Sequence, residues 1–293
     1  MSSANATKVH RKSGVAKWRD LLFLPTLTPS LALVLRARMI ESMCGRYVRK
    51  STRREIAAWF GTELDAEDAN HLQWGVSYNV APQTFQPVVR LNRDTGMREI
   101  ALMRWGLIPY WSKDAKIGYS TINAKAETVA TAPAFREAFR RRRCLVPADA
   151  FYEWQTLDPK HKQPFAIALA SREPYGFAGL WDRWKDPETR EWLETFSIIT
   201  TDPNQVVAPL HNRMPVIIER KDYARWLGGG DPRLAGTGPA QPPLDLLRPF
   251  PAERMVAWKV DRAVGNVRND TAQLLESPPD EPTLGFVADP QQP

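Results

Sequence analysis

Short apolar runs separated by turn-forming residues make up most of the chain after residue 84, and they limit the fold more than any other feature. Each run has the length of a β-strand, roughly four to eight residues. The 25 prolines also leave little room for long helices. The predicted strands are Pro87–Asn92, Arg98–Trp105, Cys144–Pro147, Ala150–Trp154, Pro164–Ala170, Tyr175–Trp181, Thr195–Thr201 and Met255–Val260. We therefore predict an α+β fold with an antiparallel, barrel-like β core and flanking helices.

Local capping and turn signals add three helices and one hairpin. Thr52 and Glu55 have the spacing of a capping box, and Gly61 is suited to end the helix that follows. Residues 52–60 are therefore predicted to be helical. Asp94-Thr95-Gly96 predicts a turn between the first two strands, which would form a hairpin. The other helices are predicted within Glu127–Arg143 and at Asp222–Leu227.

The two ends of the chain differ from its middle. An apolar stretch, Leu21–Leu35, is interrupted by Pro25 and Pro29 and is too short to span a bilayer. It also lacks the small residues of a signal-peptide cleavage site. We interpret Met43 as the true start, with the residues before it as a start-site artefact or a removable leader. The predicted organisation is a leader or artefact over residues 1–42, a single domain over 43–277 and a disordered Pro-rich tail over 278–293.

Composition and charge bound the class of protein and its partners. With 43% apolar residues and 11 tryptophans, the chain can bury a core, and a net charge of +7 favours a polyanionic partner. Two cysteines argue against a disulfide framework and fit a reducing cytoplasm. The cysteines and the four histidines have no zinc-ligand spacing. We expect a cytoplasmic monomer that needs no metal or other cofactor and does not contact a membrane.

The segment Met43-Cys44-Gly45-Arg46-Tyr47 carries distinctive chemistry. Removal of the methionine before Cys44 would leave an α-amine and a thiol on one residue, and part of that amine is neutral near pH 7. Such an aminothiol condenses with an aldehyde to an imine, which the thiol closes into a five-membered thiazolidine. The open form of an abasic deoxyribose is an aldehyde of this kind. The alternative is a buried cysteine beside an ordinary strand.

Seven short motifs in a fixed order favour the reactive interpretation of Cys44 over the buried one. They are Met43-Cys44-Gly45-Arg46, Tyr78-Asn79-Val80-Ala81-Pro82, Trp105-Gly106-Leu107-Ile108-Pro109, Ile122-Asn123-Ala124, Phe151-Tyr152-Glu153-Trp154, Leu210-His211-Asn212-Arg213-Met214-Pro215 and Val264-Gly265-Asn266-Val267. From Met43 to about Leu275 the chain resembles the SOS-response-associated peptidase family, proteins that shield abasic sites. The resemblance implies a covalent bond to abasic sites in single-stranded DNA. It also implies peptidase-like release of the residues before the cysteine, and abasic-site lyase activity.

The same resemblance assigns four catalytic residues. Cys44 matches the crosslinking nucleophile, and Asn123 matches an asparagine that orients the sugar or the cysteine backbone. Glu153 and His211 match groups that move protons. Taken alone, each has a simpler interpretation: Asn123 as a turn residue, Glu153 pointed at solvent by strand alternation, and His211 as a loop histidine.

Predicted DNA contacts combine cations for phosphates with amide and aromatic groups for sugars and bases. They are Arg46, Asn79, Trp105, Trp111, Lys125 and Arg213, with Trp74 as a further aromatic candidate. Lys125 stands where the family often has arginine, which keeps the charge but weakens a bidentate phosphate contact. At least half of the tryptophans are expected in the core. Cys144 is expected to be a buried, unreactive thiol.

Two alternative functions remain open at this point. A thiol peptidase acting on other proteins would use Cys44 and His211 as a dyad and would need no free α-amine. A non-covalent module for single-stranded DNA would bind through its aromatic and basic residues, and Cys44 would be dispensable. The mass of the mature N-terminus and the effect of replacing Cys44 distinguish these functions.

Overall fold

The computed structural model describes residues 45–63, 74–92, 94–228 and 242–278. Cys44, the leader over residues 1–42, most of the Gly/Pro-rich loop at 228–243 and nearly all of the tail lie outside these ranges. The predicted boundaries of the single domain therefore stay a prediction. Within the described ranges, no helix is both long enough and apolar enough to cross a membrane.

Strands outnumber helices in the described residues. The strands are β1 (Tyr47–Arg49), β2 (Ser77–Val80), β3 (Phe85–Leu91), β4 (Arg98–Trp105), β5 (Asn123–Lys125), β6 (Arg143–Ala148), β7 (Ala150–Thr156), β8 (Lys162–Leu169), β9 (Tyr175–Lys185), β10 (Trp192–Thr201), β11 (Met214–Pro215), β12 (Ile217–Ile218) and β13 (Met255–Lys259). The α-helices are α1 (Arg53–Phe60), α2 (Arg136–Arg141) and α3 (Tyr223–Leu227). A 3₁₀ helix covers Ala115–Tyr119.

Five of these strands close into a barrel in the order β4-β3-β6-β9-β10, with β10 pairing back to β4. The predicted barrel-like core is confirmed. The pairing is antiparallel as predicted except at β10, which runs parallel to β4 and to β5. Five strands in a closed ring cannot alternate in direction all the way round, so at least one neighbouring pair has to be parallel.

The remaining large sheet is antiparallel, in the order β13-β8-β7-β1-β2. Side chains alternate between its faces, so Tyr47 and Phe151 point towards the barrel and pack in its core. The ring of Tyr47 meets the ring of Trp105 edge to face at 5.4 Å between centroids. The opposite face of the sheet packs against Trp258 and Val264 near the end of the described chain. The sheet is thus buried on both faces.

The helix predictions hold with one correction. Thr52 and Glu55 form the capping box of α1, and Gly61 ends the helix at φ 65°. α2 ends before Arg143, because this arginine begins β6 and is buried. Its guanidinium donates to the carbonyls of Phe139, Arg140 and Trp226. Strands β1, β2, β5, β11 and β12 were not predicted, since runs of two to four residues carry too little periodicity.

Candidate functional site

The pairing of β1 with β7 positions Glu153. The last described hydrogen bond of this ladder joins the Tyr152 N–H to the Arg46 carbonyl at 3.0 Å. One further step of antiparallel register places Glu153 across from Gly45, the residue that follows Cys44. The strand ladder therefore brings a carboxyl group to the point where the chain leaves Cys44.

Glu153 is only 3% exposed. It shares a face of β7 with Phe151 and is paired across β8 with Phe165, so it points towards the barrel side of the sheet. The interpretation that alternation turns Glu153 to solvent is wrong, because both faces of this sheet are covered. A buried carboxyl group is kept at a cost in free energy, and such groups concentrate at functional sites.

Asn123 and His211 are carried by segments next to β10 of the barrel. β5 and β11 flank the end of β10, where Lys125 and Pro215 both lie opposite Thr200. Asn123 begins β5, and His211 lies in the turn before β11. Both side chains are half-buried.

A shared hydrophobic cluster connects the two halves of the site. Tyr47, Ile122 and Leu210 all pack in it. They lie close in sequence to Gly45, Asn123 and His211, respectively. Hence the predicted catalytic residues that the structure describes border one cluster between the sheet and the barrel.

The surroundings of His211 favour its neutral imidazole. Burial lowers its pKa below the ordinary value, and the ammonium of Lys162 at the start of β8 lowers it further. Its Nδ1 accepts a hydrogen bond from the backbone N–H of Arg213 at 3.1 Å. A nitrogen that accepts carries no proton, so the neutral ring keeps its proton on Nε2. That proton is available for transfer.

Arg46 and Asn79 form a clamp on the segment 264–269. Arg46 Nη1 donates to Asn79 Oδ1 at 2.6 Å and to the Val264 carbonyl at 3.0 Å, while its Nη2 donates to the Gly265 carbonyl at 3.0 Å. Asn79 is buried, and its Nδ2 donates to the carbonyls of Val264, Asn266 and Asn269 at 2.8–3.1 Å. Both predicted DNA contacts thus have a structural role here, and DNA contact by either stays a prediction.

Arg213 ties together the segments that carry Asn123 and His211. Its guanidinium meets both carboxylate oxygens of Glu127 at 2.7 and 2.8 Å, Asp202 at 3.1 Å and the Thr200 carbonyl at 2.7 Å. The side chain is buried and carries most of its contacts within the protein. Its predicted phosphate contact is likewise untested.

The predicted aromatic contacts separate clearly. Trp105 is fully buried and its indole N–H donates to the Ile122 carbonyl at 2.9 Å, so the prediction that it stacks on a base is wrong. Trp74 is half-buried beneath the guanidinium of Arg49 at 4.6 Å. Trp111 is 49% exposed, and Lys125 is exposed as well. These last two are free to meet a ligand.

Cys144 is fully buried and free, and burial raises the pKa of its thiol, which keeps the thiol protonated. This confirms the expectation of a buried cysteine. In the ranges that the structure describes, His, Cys, Asp and Glu side chains do not gather in a group of three that could hold a metal ion.

Sequence patterns did not single out three further surface residues near the site, Phe85, Arg104 and Tyr119, because isolated side chains carry no motif.

Comparisons with known proteins identify relatives of this chain. The family model described as "SOS response associated peptidase (SRAP)" matches residues 43–267. The abasic site processing protein YoqW of Bacillus subtilis is 39% identical over 235 residues, covering 80% of this chain and 100% of that protein. The abasic site processing protein HMCES of Xenopus tropicalis is 30% identical over 236 residues, covering 71% of this chain and 68% of that one.

A solved structure has the same fold. The crystal structure of a protein from Bacteroides thetaiotaomicron superposes with a TM-score of 0.68 at 27% identity, covering 80% of this chain and 100% of that chain. The family match spans most of the residues that carry the site. This chain belongs to the SOS response associated peptidase (SRAP) family.

Proposed function

We propose that this protein processes abasic sites in single-stranded DNA, with Cys44 as an N-terminal nucleophile that forms a covalent thiazolidine crosslink. One observation carries the proposal: Glu153 is buried, and the residue before it, Tyr152, donates its N–H to the carbonyl of Arg46, two residues after Cys44 in the sequence. Family membership and the names of relatives such as YoqW support it. The crosslink would shield the abasic site during the response to DNA damage.

The proposed reaction needs no cofactor. The α-amine nitrogen of Cys44 adds to C1′ of the open-chain sugar and gives a carbinolamine. Loss of the carbinolamine hydroxyl as water gives an imine. The thiol then adds across this C=N bond, with sulfur bonding to carbon and the proton passing to nitrogen. One water is released overall, and nothing is oxidised or reduced.

Glu153 is the proton shuttle of this scheme. Expulsion of water from the carbinolamine needs an acid, and opening of the sugar ring needs a proton moved between its oxygens. The burial of this carboxyl group on the strand that pairs with β1 supports both roles. Asn123, at the start of β5, orients the sugar or the backbone of Cys44 through its amide.

His211 acts in release of the DNA strand rather than in formation of the crosslink. While the imine persists, the hydrogens on C2′ are acidic, and loss of one of them expels the 3′ phosphate by elimination. The neutral imidazole, with its proton on Nε2, is suited to protonate the departing oxygen or, during reversal, the sulfur. We therefore include lyase activity in the proposal, as a slower side reaction.

Crosslinking in this scheme requires a free α-amine on Cys44. We propose that the peptidase activity consists of removing the residues before it. Hydrolysis of the Met43–Cys44 bond consumes one water and leaves that amine. The attacking group is the thiol of Cys44 or a water activated by Glu153. DNA contacts outside the reaction centre are assigned to the exposed Trp111 and Lys125.

Replacing each cysteine tests the proposal. We expect Cys44→Ser to abolish the stable adduct with an abasic single-stranded oligonucleotide on a denaturing gel, because oxygen closes the ring less favourably than sulfur. Cys144→Ser is the matched control and should crosslink normally, since its thiol is buried and protonated. Equal loss in both variants would contradict the assignment of the nucleophile.

The mature N-terminus provides the second readout. Intact-mass analysis of active protein should give a chain that begins at Cys44. An active protein that retains residues 1–43 would exclude the thiazolidine mechanism and would favour a thiol peptidase. Unchanged retention of DNA by Cys44→Ser, with no covalent adduct in the unaltered protein, would favour a non-covalent binding module instead.

A further inference from the structure

Three chain segments meet closely at one end of the barrel. Gly106 follows β4 with φ 125°, and a Cβ there would collide with the carbonyl oxygen of Gly118. Gln83, which also has a positive φ of 69°, donates from Nε2 to the same carbonyl at 3.0 Å. The turn at 81–84, the end of β4 and the 3₁₀ helix 115–119 are therefore fixed against each other.

Arg104 lies against this junction on the outer face of β4. Its neighbours in sequence, Met103 and Trp105, are fully buried in the core, so alternation directs Arg104 outwards. Its Nη2 is next to the backbone of Gly118, at 3.5 Å from the position that a Cβ on that residue would take. The side chain is half-buried, and burial lowers its pKa below the ordinary value.

Among the described residues, the guanidinium of Arg104 has no anionic partner. Its Nε and Nη2 are enclosed, yet neither has a hydrogen-bond acceptor anywhere in residues 45–63, 74–92, 94–228 and 242–278. Enclosed donors on a charged group are costly to leave unpaired, and native proteins rarely do so without a bound group to pair with them. The geometry of Arg104 thus indicates a site for an anion.

Aromatic rings border this site on the solvent side. Phe85 on β3 is the direct cross-strand partner of Arg104 and is 53% exposed. Tyr119, which ends the adjoining 3₁₀ helix, is also 53% exposed and lies close enough to act on the charge of Arg104. A cation beside exposed aromatic rings is the arrangement that holds a phosphate between two stacked, unpaired bases.

We propose that Arg104 binds a backbone phosphate of the single strand, with Phe85 stacking on a neighbouring base. Along the chain, the 3₁₀ helix that this site adjoins leads into Asn123. Thr121 on that connection donates to the Leu107 carbonyl at 2.5 Å, which ties the connection to the segment that follows β4. The inference rests on the proposed function and adds a contact outside the catalytic residues.

Salt dependence of binding tests the proposal. The probe is a fluorescein-labelled single-stranded oligonucleotide without an abasic site, followed by anisotropy with the full chain. We expect Arg104→Gln to weaken binding about tenfold at moderate salt. The slope of log K against log salt should become shallower by about 0.7, the contribution of one phosphate contact on a single strand. Arg104→Lys should keep the slope and recover part of the affinity.

Two variants separate charge from stacking and from general effects. Phe85→Ala should weaken binding but leave the salt slope unchanged, since it removes no charge. Arg248→Gln removes one exposed arginine from another segment and should bind like the unaltered protein. Arg104→Gln should melt at the same temperature as the unaltered protein or higher, because it removes an enclosed, unpaired charge.

An unchanged salt slope in Arg104→Gln overturns the proposal, whatever its melting temperature. An Arg248→Gln slope that falls as far as that of Arg104→Gln overturns it as well, because the effect would then be one of net charge. At subsaturating DNA, crosslinking of an abasic oligonucleotide should slow in Arg104→Gln in step with its loss of affinity. If the unaltered protein does not crosslink abasic DNA, the proposed function is contradicted. The salt slopes of non-covalent binding then still decide whether Arg104 contacts a phosphate.

Discussion

Arginines near the site lie in two different environments. Arg46 and Arg213 direct their guanidinium groups at carbonyls and carboxylates of the protein, and each ties a distant segment to the site. Arg104, on the outer face of the barrel, has enclosed N–H groups with no acceptor among the described residues. All three are identical in a count of positive charge. The structure separates them, because among the described residues Arg213 leaves only its Nε without an acceptor, whereas Arg104 leaves both Nε and Nη2.

The same division applies to the other site residues. Asn79 and Trp105 are buried and bonded to backbone carbonyls, whereas Trp111 and Lys125 face solvent. Replacing an inward group should change the stability of the fold, and replacing an outward one should change affinity for DNA. Glu153 belongs to neither class, because it is buried and yet assigned to the chemistry.

The largest effect is expected for Glu153→Gln. Loss of a positioned acid–base group slows a reaction by about 10²- to 10⁴-fold, so the single-turnover rate of crosslink formation should fall within this range. Affinity for undamaged single strands should stay unchanged. A rate within threefold or so of the unaltered protein would remove Glu153 from the proton transfers and leave it as a buried structural group.

A stability effect of about 2–4 kcal/mol is expected for Arg213→Gln, measured by urea unfolding. The variant loses the contacts to Glu127 and Thr200, which hold the segment after β5 against the end of β10. The expected loss of unfolding free energy is no larger because Glu127 is 47% exposed, so solvent screens part of its ion pair with Arg213. Arg213→Lys should recover only part of the loss, since an ammonium cannot make the paired contacts.

The comparison is reversed if Arg213→Gln keeps its stability but its salt slope loses the contribution of one phosphate contact. Arg213 would then belong with Arg104 as a DNA contact, as the sequence pattern first predicted.

Much of the fold was predictable because its signals are local. The capping box at Thr52 and the turn at Asp94–Gly96 depend on a few adjacent residues, and both are present. The closure of the barrel was not predictable in detail, because the parallel pairing of β10 with β4 joins segments about ninety residues apart. No local pattern encodes such a contact.

The site shows the same limit. Motifs identify Glu153 and His211 by residue type and order, but they do not give the direction of a side chain. Trp105 and Trp111 lie in one stretch of sequence, and only the packing of β4 against the sheet makes the first a core residue. Arg104 belongs to no motif and is found only through its unpaired donors.

Those two tryptophans sharpen the comparison further. Trp111→Ala should weaken binding to single strands by about 1–3 kcal/mol and leave the unfolding free energy nearly unchanged. Trp105→Ala is the matched control, because it should cost about 3–5 kcal/mol of stability through the cavity that it leaves. Anisotropy and urea unfolding of both variants measure the two quantities. A loss of stability in Trp111→Ala, or equal losses of affinity in both, would contradict the separation of roles.

The smallest effect concerns pH and the turn that His211 and Arg213 share. Burial lowers the pKa of His211 below its value in the unfolded chain, so the folded state favours the neutral ring. The associated stability is complete above the unfolded pKa, about 6.5, and is lost as pH falls through the folded pKa. Protonation also removes the Nδ1 acceptor that the Arg213 N–H uses. Partial exposure of the ring keeps the expected loss below about 1 kcal/mol.

Urea unfolding near neutral pH and again well below the unfolded pKa should therefore show a larger acid-side loss in the unaltered protein than in His211→Gln, which has no imidazole to titrate. An equal loss in both proteins would mean that His211 is not held neutral by the fold, and its assignment as the proton donor in strand release would lose its physical basis.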